Sequence, residues 1–240
     1  MLVKAVALSK TYKIGWLKKR SIKVIKEAEI FIDKGETVGL VGESGSGKTT
    51  LGLLLTGLLK PDDGQIFFNG KEITRLTPSE NKDFRRRAQI IFQHPEAAFN
   101  PKWRLIRSLA EPFRLHGIPF TERALLEQLE TIGLYKEHLD RYPSQLSGGE
   151  LQRAAIARVM VLEPKFLVLD EPTSMLDVIT QAQIIRLLQE IQKEKGLAYL
   201  FITHDLELAR LFCRRIYRLV DGKLQEMLTV RSASRDSATE

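Results

Sequence analysis

Short runs of apolar residues recur along the chain and alternate with longer stretches whose apolar positions return every three or four residues. The runs Thr37–Val41, Ala88–Phe92, Phe166–Leu169 and Tyr199–Thr203 are apolar at nearly every position. A strand with one wet face alternates, whereas a strand covered on both faces does not. The four runs are therefore expected to be strands of a mostly parallel, doubly covered sheet. Ile216–Val220, Asp221-Gly222 and Lys223-Leu224 together predict a hairpin with a tight turn. Lys48 to Leu59 is apolar around most of its circumference and predicts a buried helix. Glu150 to Leu162 predicts a helix that stops ahead of Pro164, and Val178 to Lys195 one that stops at Gly196. Strand–helix alternation of this kind predicts an α/β domain.

Between Pro101 and Leu146 the strand-like runs vanish. Helical stretches such as Thr121–Ile132 are punctuated by Pro112, Gly117, Pro119, Gly133 and Pro143. This predicts a helical insert, spanning roughly 94–162, within one domain of residues 1–228. No internal repeat is present, and residues 229–240 read as a polar, frayed tail.

Composition narrows the picture only modestly. The 240 residues are 43% hydrophobic and 28% charged, which excludes disorder, collagen and coiled coil for most of the chain. A net charge of +7 permits an anionic partner: nucleotide, nucleic acid or anionic lipid. The single cysteine, Cys213, has no partner within the chain, which points to a reducing compartment. It lies in a helical stretch without a second Cys or a nearby His, so it reads as a core thiol and not as a metal ligand. Met1-Leu2-Val3-Lys4 does not resemble a signal peptide, and no apolar run approaches the ~18 residues of a membrane span.

The chemistry is concentrated at the strand ends. Gly42-Glu43-Ser44-Gly45-Ser46-Gly47-Lys48-Thr49 follows one apolar run and opens a helix. Its glycines let consecutive N–H groups turn toward one anion; Lys48 can reach the outer phosphates and the Thr49 hydroxyl a magnesium ion. Phe166–Leu169 runs into Asp170 and Glu171. Buried carboxylates need a partner, so Asp170 is a candidate magnesium ligand and Glu171 a candidate base for attacking water. Gln93 and His204 directly follow two other runs. In a parallel sheet the carboxyl ends of the strands share one edge, which brings Gly42, Gln93, Asp170, Glu171 and His204 together. Leu146-Ser147-Gly148-Gly149-Glu150 precedes another helix, either as a second anion-binding device or as a plain cap with Ser147 as its residue.

Assembled, these residues resemble the ATP-binding-cassette (ABC) transporter ATPase subunit over nearly all of residues 1–228. The resemblance implies an ABC-type P-loop NTPase fold: a parallel-sheet core, an N-terminal antiparallel β part and a helical subdomain. It implies ATP and Mg²⁺ as cofactors, with Tyr12 stacking on adenine, Thr50 joining the phosphate loop and Gln93 adding to the magnesium ligands Thr49 and Asp170. Catalysis would rest on Glu171 and His204. Two subunits would sandwich ATP, with Ser147, Gly148, Gly149 and Glu150 of one facing the γ-phosphate at Lys48 of the other. Ser174-Met175-Leu176-Asp177 would cross the interface, bringing Asp177 to the nucleotide. Glu150 departs from the usual Gln of the signature and Met175 from the frequent Ala of the crossing loop.

Within the family, Gln93-His94-Pro95, Phe99-Asn100-Pro101, Glu111-Pro112 and Arg141-Tyr142-Pro143-Ser144-Gln145-Leu146 are similar to the peptide/nickel importer branch. Many peptide members continue past the last hairpin with a cysteine-bearing tail; here 16 residues follow Leu224 without a cysteine, which is more similar to subunits for nickel or metal chelates. Import of nickel, cobalt or a metal chelate is thus the first reading and oligopeptide import the second. The implied partners are two integral membrane permease subunits contacted through Gln93 to about Arg114, a related ATPase subunit or a second copy, and indirectly a solute-binding protein. The implied location is the cytoplasmic face of the membrane. A soluble ABC ATPase acting on nucleic acid or the ribosome is the rival class. The basic clusters Arg85-Arg86-Arg87 and Lys18-Lys19-Arg20 give it some support, but they read more simply as solvated faces, and nucleic acid is not expected as a partner.

Overall fold

The computed structural model describes residues 1–14 and 20–229. Lys18 and Lys19, and the tail after Thr229, lie outside them. Ten strands are described: β1 (Val3–Ile14), β2 (Arg20–Ile32), β3 (Thr37–Val41), β4 (Asp63–Phe68), β5 (Lys71–Glu72), β6 (Ala88–Ile91), β7 (Phe166–Asp170), β8 (Ala198–Thr203), β9 (Arg215–Val220) and β10 (Lys223–Thr229). Eight α-helices are described: α1 (Lys48–Leu55), α2 (Pro78–Arg87), α3 (Leu105–His116), α4 (Glu122–Thr131), α5 (Lys136–Leu139), α6 (Gly148–Met160), α7 (Val178–Lys195) and α8 (Leu206–Phe212).

The strands form two sheets. One has the order β10-β9-β3-β8-β7-β6, parallel throughout except for the terminal β9–β10 hairpin. The other is antiparallel, β2-β1-β4-β5. Alternate residues of the parallel strands enter two separate cores. Phe166, Val168, Leu200 and Ile202 pack with α1 and the antiparallel sheet, while Leu167, Leu169, Tyr199 and Phe201 pack with the helices of the other face. Each strand is thus apolar at every position because both faces are covered. The α3 to α6 helices occupy the chain between β6 and β7.

The two sheets are fastened together away from the nucleotide motifs. Arg215 of β9 forms a bidentate pair with Glu36, at 2.7 Å to each oxygen, and also donates to the Phe31 carbonyl of β2 at 3.2 Å. Its guanidinium lies 3.8 Å from the Phe31 ring centroid, and both charged side chains are buried.

Several expected boundaries move, and two of the shifts have a visible cause. The buried helix ends at Leu55 rather than Leu59. The Thr56 hydroxyl bonds back to the Gly52 carbonyl at 2.9 Å, and Gly57 then turns left-handed (φ +67°). That conformation ends a helix and is cheap only for glycine. The helix expected from Glu150 begins at Gly148, because Ser147 caps it. Val178–Lys195 is found as expected, with Gly196 left-handed at its end. Cys213 is buried, its would-be neighbour at Gly39 leaves no room for a Cβ (3.0 Å to Sγ), and burial pushes its thiol pKa up. It is a core thiol. No helix among the described residues is long and apolar enough to cross a membrane.

Candidate functional site

The carboxyl ends of β3, β8, β7 and β6 lie side by side, because these four strands are consecutive parallel neighbours. The residues that follow them therefore meet. The Gly42–Thr49 loop joins β3 to α1, whose first residue is Lys48. Gly45 is left-handed (φ +76°), and the helix cap, Gly47, has no side chain to occupy the N–H groups behind it. The Ser46 hydroxyl is buried without a partner. Lys48 is buried, and its amine donates to the carbonyls of Gly42 and Glu43, both at 2.9 Å. A buried cation, an unpaired hydroxyl and an uncapped helix end together define a place for an anion. Thr50 lies in the same first turn of α1, partly buried.

Below the loop, the Thr49 hydroxyl donates to Asp170 at 2.7 Å. Asp170 is buried, and that burial, with the neighbouring Glu171 charge, raises its pKa against the lowering effects of Thr49 and Lys48. A hydroxyl and a desolvated carboxylate side by side are hard oxygen donors of the type magnesium prefers, and the carboxylate would gain from the cation's charge. The donor set fits that ion.

Glu171 follows β7 in a left-handed conformation (φ +47°), rare for a residue with a Cβ and costing about 1–2 kcal/mol. The turn is held by its amide on the Ile202 carbonyl (2.9 Å) and by the Ser174 hydroxyl on its own carbonyl (3.1 Å). Its carboxylate meets two partners: Gln93 Nε2 donates to Oε2 at 3.3 Å, and His204 Nδ1 lies 3.1 Å from the same oxygen. Gln93 also donates to the Ser174 hydroxyl at 3.2 Å. Two sequence-distant residues thus meet one carboxylate at the edge where a phosphate would end. Gln93 thus donates to Glu171 and Ser174, and among the described hydrogen bonds it makes none to Asp170.

The expected second device is elsewhere. Ser147 and Glu150 form a reciprocal cap: the Ser147 Oγ accepts from Glu150 N at 3.3 Å and Glu150 Oε2 accepts from Ser147 N at 2.7 Å. The plain-cap reading of this sequence is therefore realised, whatever else the loop does. Gly149 is required sterically, since a Cβ there would stand 2.6 Å from Thr180 Cγ2; one at Gly148 would stand 3.2 Å from Leu176. Asp177 caps α7, accepting from Ile179 N and Thr180 N at 3.1 and 3.0 Å and from the Thr180 hydroxyl at 2.6 Å. The carboxylates of Glu150 and Asp177 are thus engaged in capping within the chain. Met175, Val178 and Ile179 beside Asp177 are large, apolar and exposed.

A cleft of about 560 Å³ extends from Glu43, Ser44 and Ser46 to Val24, Arg218 and the Asp221-Gly222 turn. Tyr12 does not line it; it pairs with Ile22, which does. Sequence reasoning did not find His138, which lies 3.1 Å from Glu150, because a lone histidine in a short helix carries no motif.

The comparisons with known proteins agree with this geometry. A family profile described as ABC transporter matches residues 25–174. The nickel import ATP-binding protein NikE of Rhodospirillum rubrum is 44% identical over 239 residues, 98% of this chain and 86% of that protein. The oligopeptide transport ATP-binding protein OppF of Bacillus subtilis is 42% identical over 212 residues, 86% of this chain and 70% of that protein. The dimeric post-hydrolysis structure of the ATP-binding cassette MJ0796, bound to ADP and Pi, superposes with a TM-score of 0.84 at 31% identity, covering 96% of this chain and all of that one.

Proposed function

The chain belongs to the ABC transporter family and is an ATP-binding, ATP-hydrolysing cassette, and from that premise we propose which residues bind, hydrolyse and couple. The observation that carries the assignment is the convergence of Gln93 and His204 on the Glu171 carboxylate, next to the Lys48 loop and the Thr49–Asp170 pair.

Lys48, the loop amides and the Ser46 hydroxyl hold the phosphates. Thr49 and Asp170 hold Mg²⁺. When bound, Mg²⁺ would neutralise charge on the outer phosphates. Tyr12, one strand from the cleft, serves the adenine. Glu171 orients and deprotonates the attacking water; its strained turn fixes the carboxylate, and His204 and Gln93 restrict its rotation. His204 is largely exposed and meets the γ-phosphate side of the site. Gln93 links this carboxylate to the helical insert, so phosphate loss is felt there. In the closed pair, Ser147, Gly148 and Gly149 face the phosphate held by the second cassette, and the exposed Met175, Val178 and Ile179 cross between the two. Whether that cassette is a related subunit or a second copy does not alter the roles.

The chain is read as the engine of an importer, on the cytoplasmic face of a membrane, docked on two permease subunits. A cleft of about 360 Å³ lined by Trp103, Arg107, Glu111, Arg114 and Phe120 on the helical insert supports a docking surface there. Arg107 lies 4.0 Å over the Trp103 ring, which holds both side chains at its rim. The cargo is nickel, cobalt or a metal chelate in the first reading and oligopeptide in the second, and relatives named for each support both.

Replacing Glu171 with Gln tests the assignment. ATP affinity should be retained while turnover falls at least about a hundredfold, the scale for loss of a general base. Near-normal hydrolysis would sink it.

A further inference from the structure

The signature loop of this chain carries a carboxylate, Glu150, in the first turn of a helix that on the reading above meets a phosphate. Left to rotate, that carboxylate would bring like charge to the ligand. It is not left to rotate. Oε2 accepts from Ser147 N at 2.7 Å, while Oε1 lies 3.1 Å from His138 Nε2 and 3.6 Å from Arg141 Nη1. The Ser147 amide is the main influence holding the Glu150 carboxyl pKa below its usual value.

His138 is buried, unlike most histidines at a protein surface. Its Nδ1 accepts from the Tyr135 amide at 3.0 Å. A ring nitrogen that accepts carries no proton, so in the neutral ring the proton is on Nε2, aimed at Glu150. The Tyr135 amide behind the ring and the Glu150 carboxylate in front of it thus favour the same tautomer. Arg141 supplies the cation. Its carbonyl in turn accepts from Leu105 N at 2.9 Å, which anchors this corner to the start of α3.

We propose that His138, backed by Arg141, is a positioning residue for the signature loop: it holds the Glu150 carboxylate back toward the helical insert, which sets the Ser147 amide and keeps negative charge off the phosphate. This accounts for a signature that departs from the usual amide. The proposal rests on the phosphate-facing reading of Ser147, so the test separates the two.

The full chain is used, reading ATPase kcat, KM and equilibrium ATP affinity. His138→Asn keeps an acceptor for Tyr135 N but is too short to reach Glu150; His138→Gln reaches Glu150 with an N–H. His138→Asn should lower kcat about three- to tenfold, the size of one typical net hydrogen bond, with KM changed less than about twofold. His138→Gln should restore most of the rate. In a double-mutant cycle, His138→Asn should add little on top of Glu150→Ala. A wild-type kcat in His138→Asn, equal damage from Asn and Gln, or additive effects with Glu150→Ala would overturn the proposal. Imidazole ¹⁵N spectra provide a readout that mere packing would not move. The signal lost in His138→Asn should report a proton on Nε2 in the parent. In Glu150→Gln it should move to Nδ1, since the Gln amide then donates to Nε2 and the ring turns its own proton to the Tyr135 carbonyl, 3.2 Å away. A parent ring with its proton on Nδ1 and none on Nε2 refutes the clamp even if the variants do not fold. Ser147→Ala is the control. If it leaves hydrolysis intact, the phosphate-facing reading fails and the proposal with it; if it impairs hydrolysis while His138→Asn does not, the clamp alone fails.

Discussion

Two helices of this protein begin where a phosphate is expected, and they begin in opposite ways. α1 starts behind Gly47, which has no side chain to cap it and no acid in the first turn. The donors there are free, and Lys48 and the unpaired Ser46 hydroxyl stand beside them. α6 starts behind Ser147 with its own cap and an acid, Glu150, in the first turn. Two of its early donors are already satisfied within the chain, leaving those of Gly148 and Gly149. The first helix end is a complete anion site. On the proposed reading the second is a half-site, of use to a phosphate already held by something else. The glycines divide likewise: Gly45 is needed for its backbone conformation and has open space around it, whereas Gly149 is needed because Thr180 fills the space a Cβ would take.

The comparison can be broken most forcefully at Lys48. Lys48→Ala should reduce ATP affinity at least about a hundredfold, the scale for removing a preorganised charged donor. Equilibrium binding that survives would show that the signature loop binds nucleotide unaided. Gly149→Ala comes next. It should lower turnover about tenfold through displaced geometry while leaving ATP affinity unchanged, and Thr180→Ser, which deletes the obstructing methyl and keeps the hydroxyl on Asp177, should recover most of the loss. No rescue would mean that the glycine serves the phosphate and not the packing. The smallest effect belongs to Gly45→Ala, a left-handed position with no neighbour within 4 Å. Thermal melting should register about 1 kcal/mol of backbone strain, and a larger loss would reveal a contact the loop makes elsewhere.

The parallel sheet was readable because double burial writes an unbroken apolar run, and Thr37–Val41 and Val178–Lys195 end where the sequence places them. The antiparallel sheet left no such trace and was expected only by resemblance. In β1 the buried apolar positions run Val3, Ala5, Leu8, and in β2 Ile25, Ala28, Ile30, Ile32. The period slips by one at Ala7 and at Glu27, both left-handed and both at breaks in the register. A bulge corrects the facing in space while destroying the alternation on paper. At the site, Gln93, Glu171 and His204 were legible because parallel topology alone brings strand ends together. The roles of Glu150 and Asp177 as caps, and of His138 behind Glu150, depend on rotamers and on short-range turns that residue spacing does not encode.

The Glu36–Arg215 pair stands at the far end of the sheet from the nucleotide edge, and its consequence is a matter of lifetime. A bidentate pair buried on both sides costs about 3–5 kcal/mol to break from one side. Unfolding that starts where β9, β3 and the end of β2 meet must cross that step before any of these strands is released. At the opposite edge the loops are joined by hydrogen bonds, such as those from Gln93 to Glu171 and Ser174 and from Thr49 to Asp170. Slow global unfolding is thereby assigned to the end of the strands away from the nucleotide motifs, and the lifetime of the folded chain is set there.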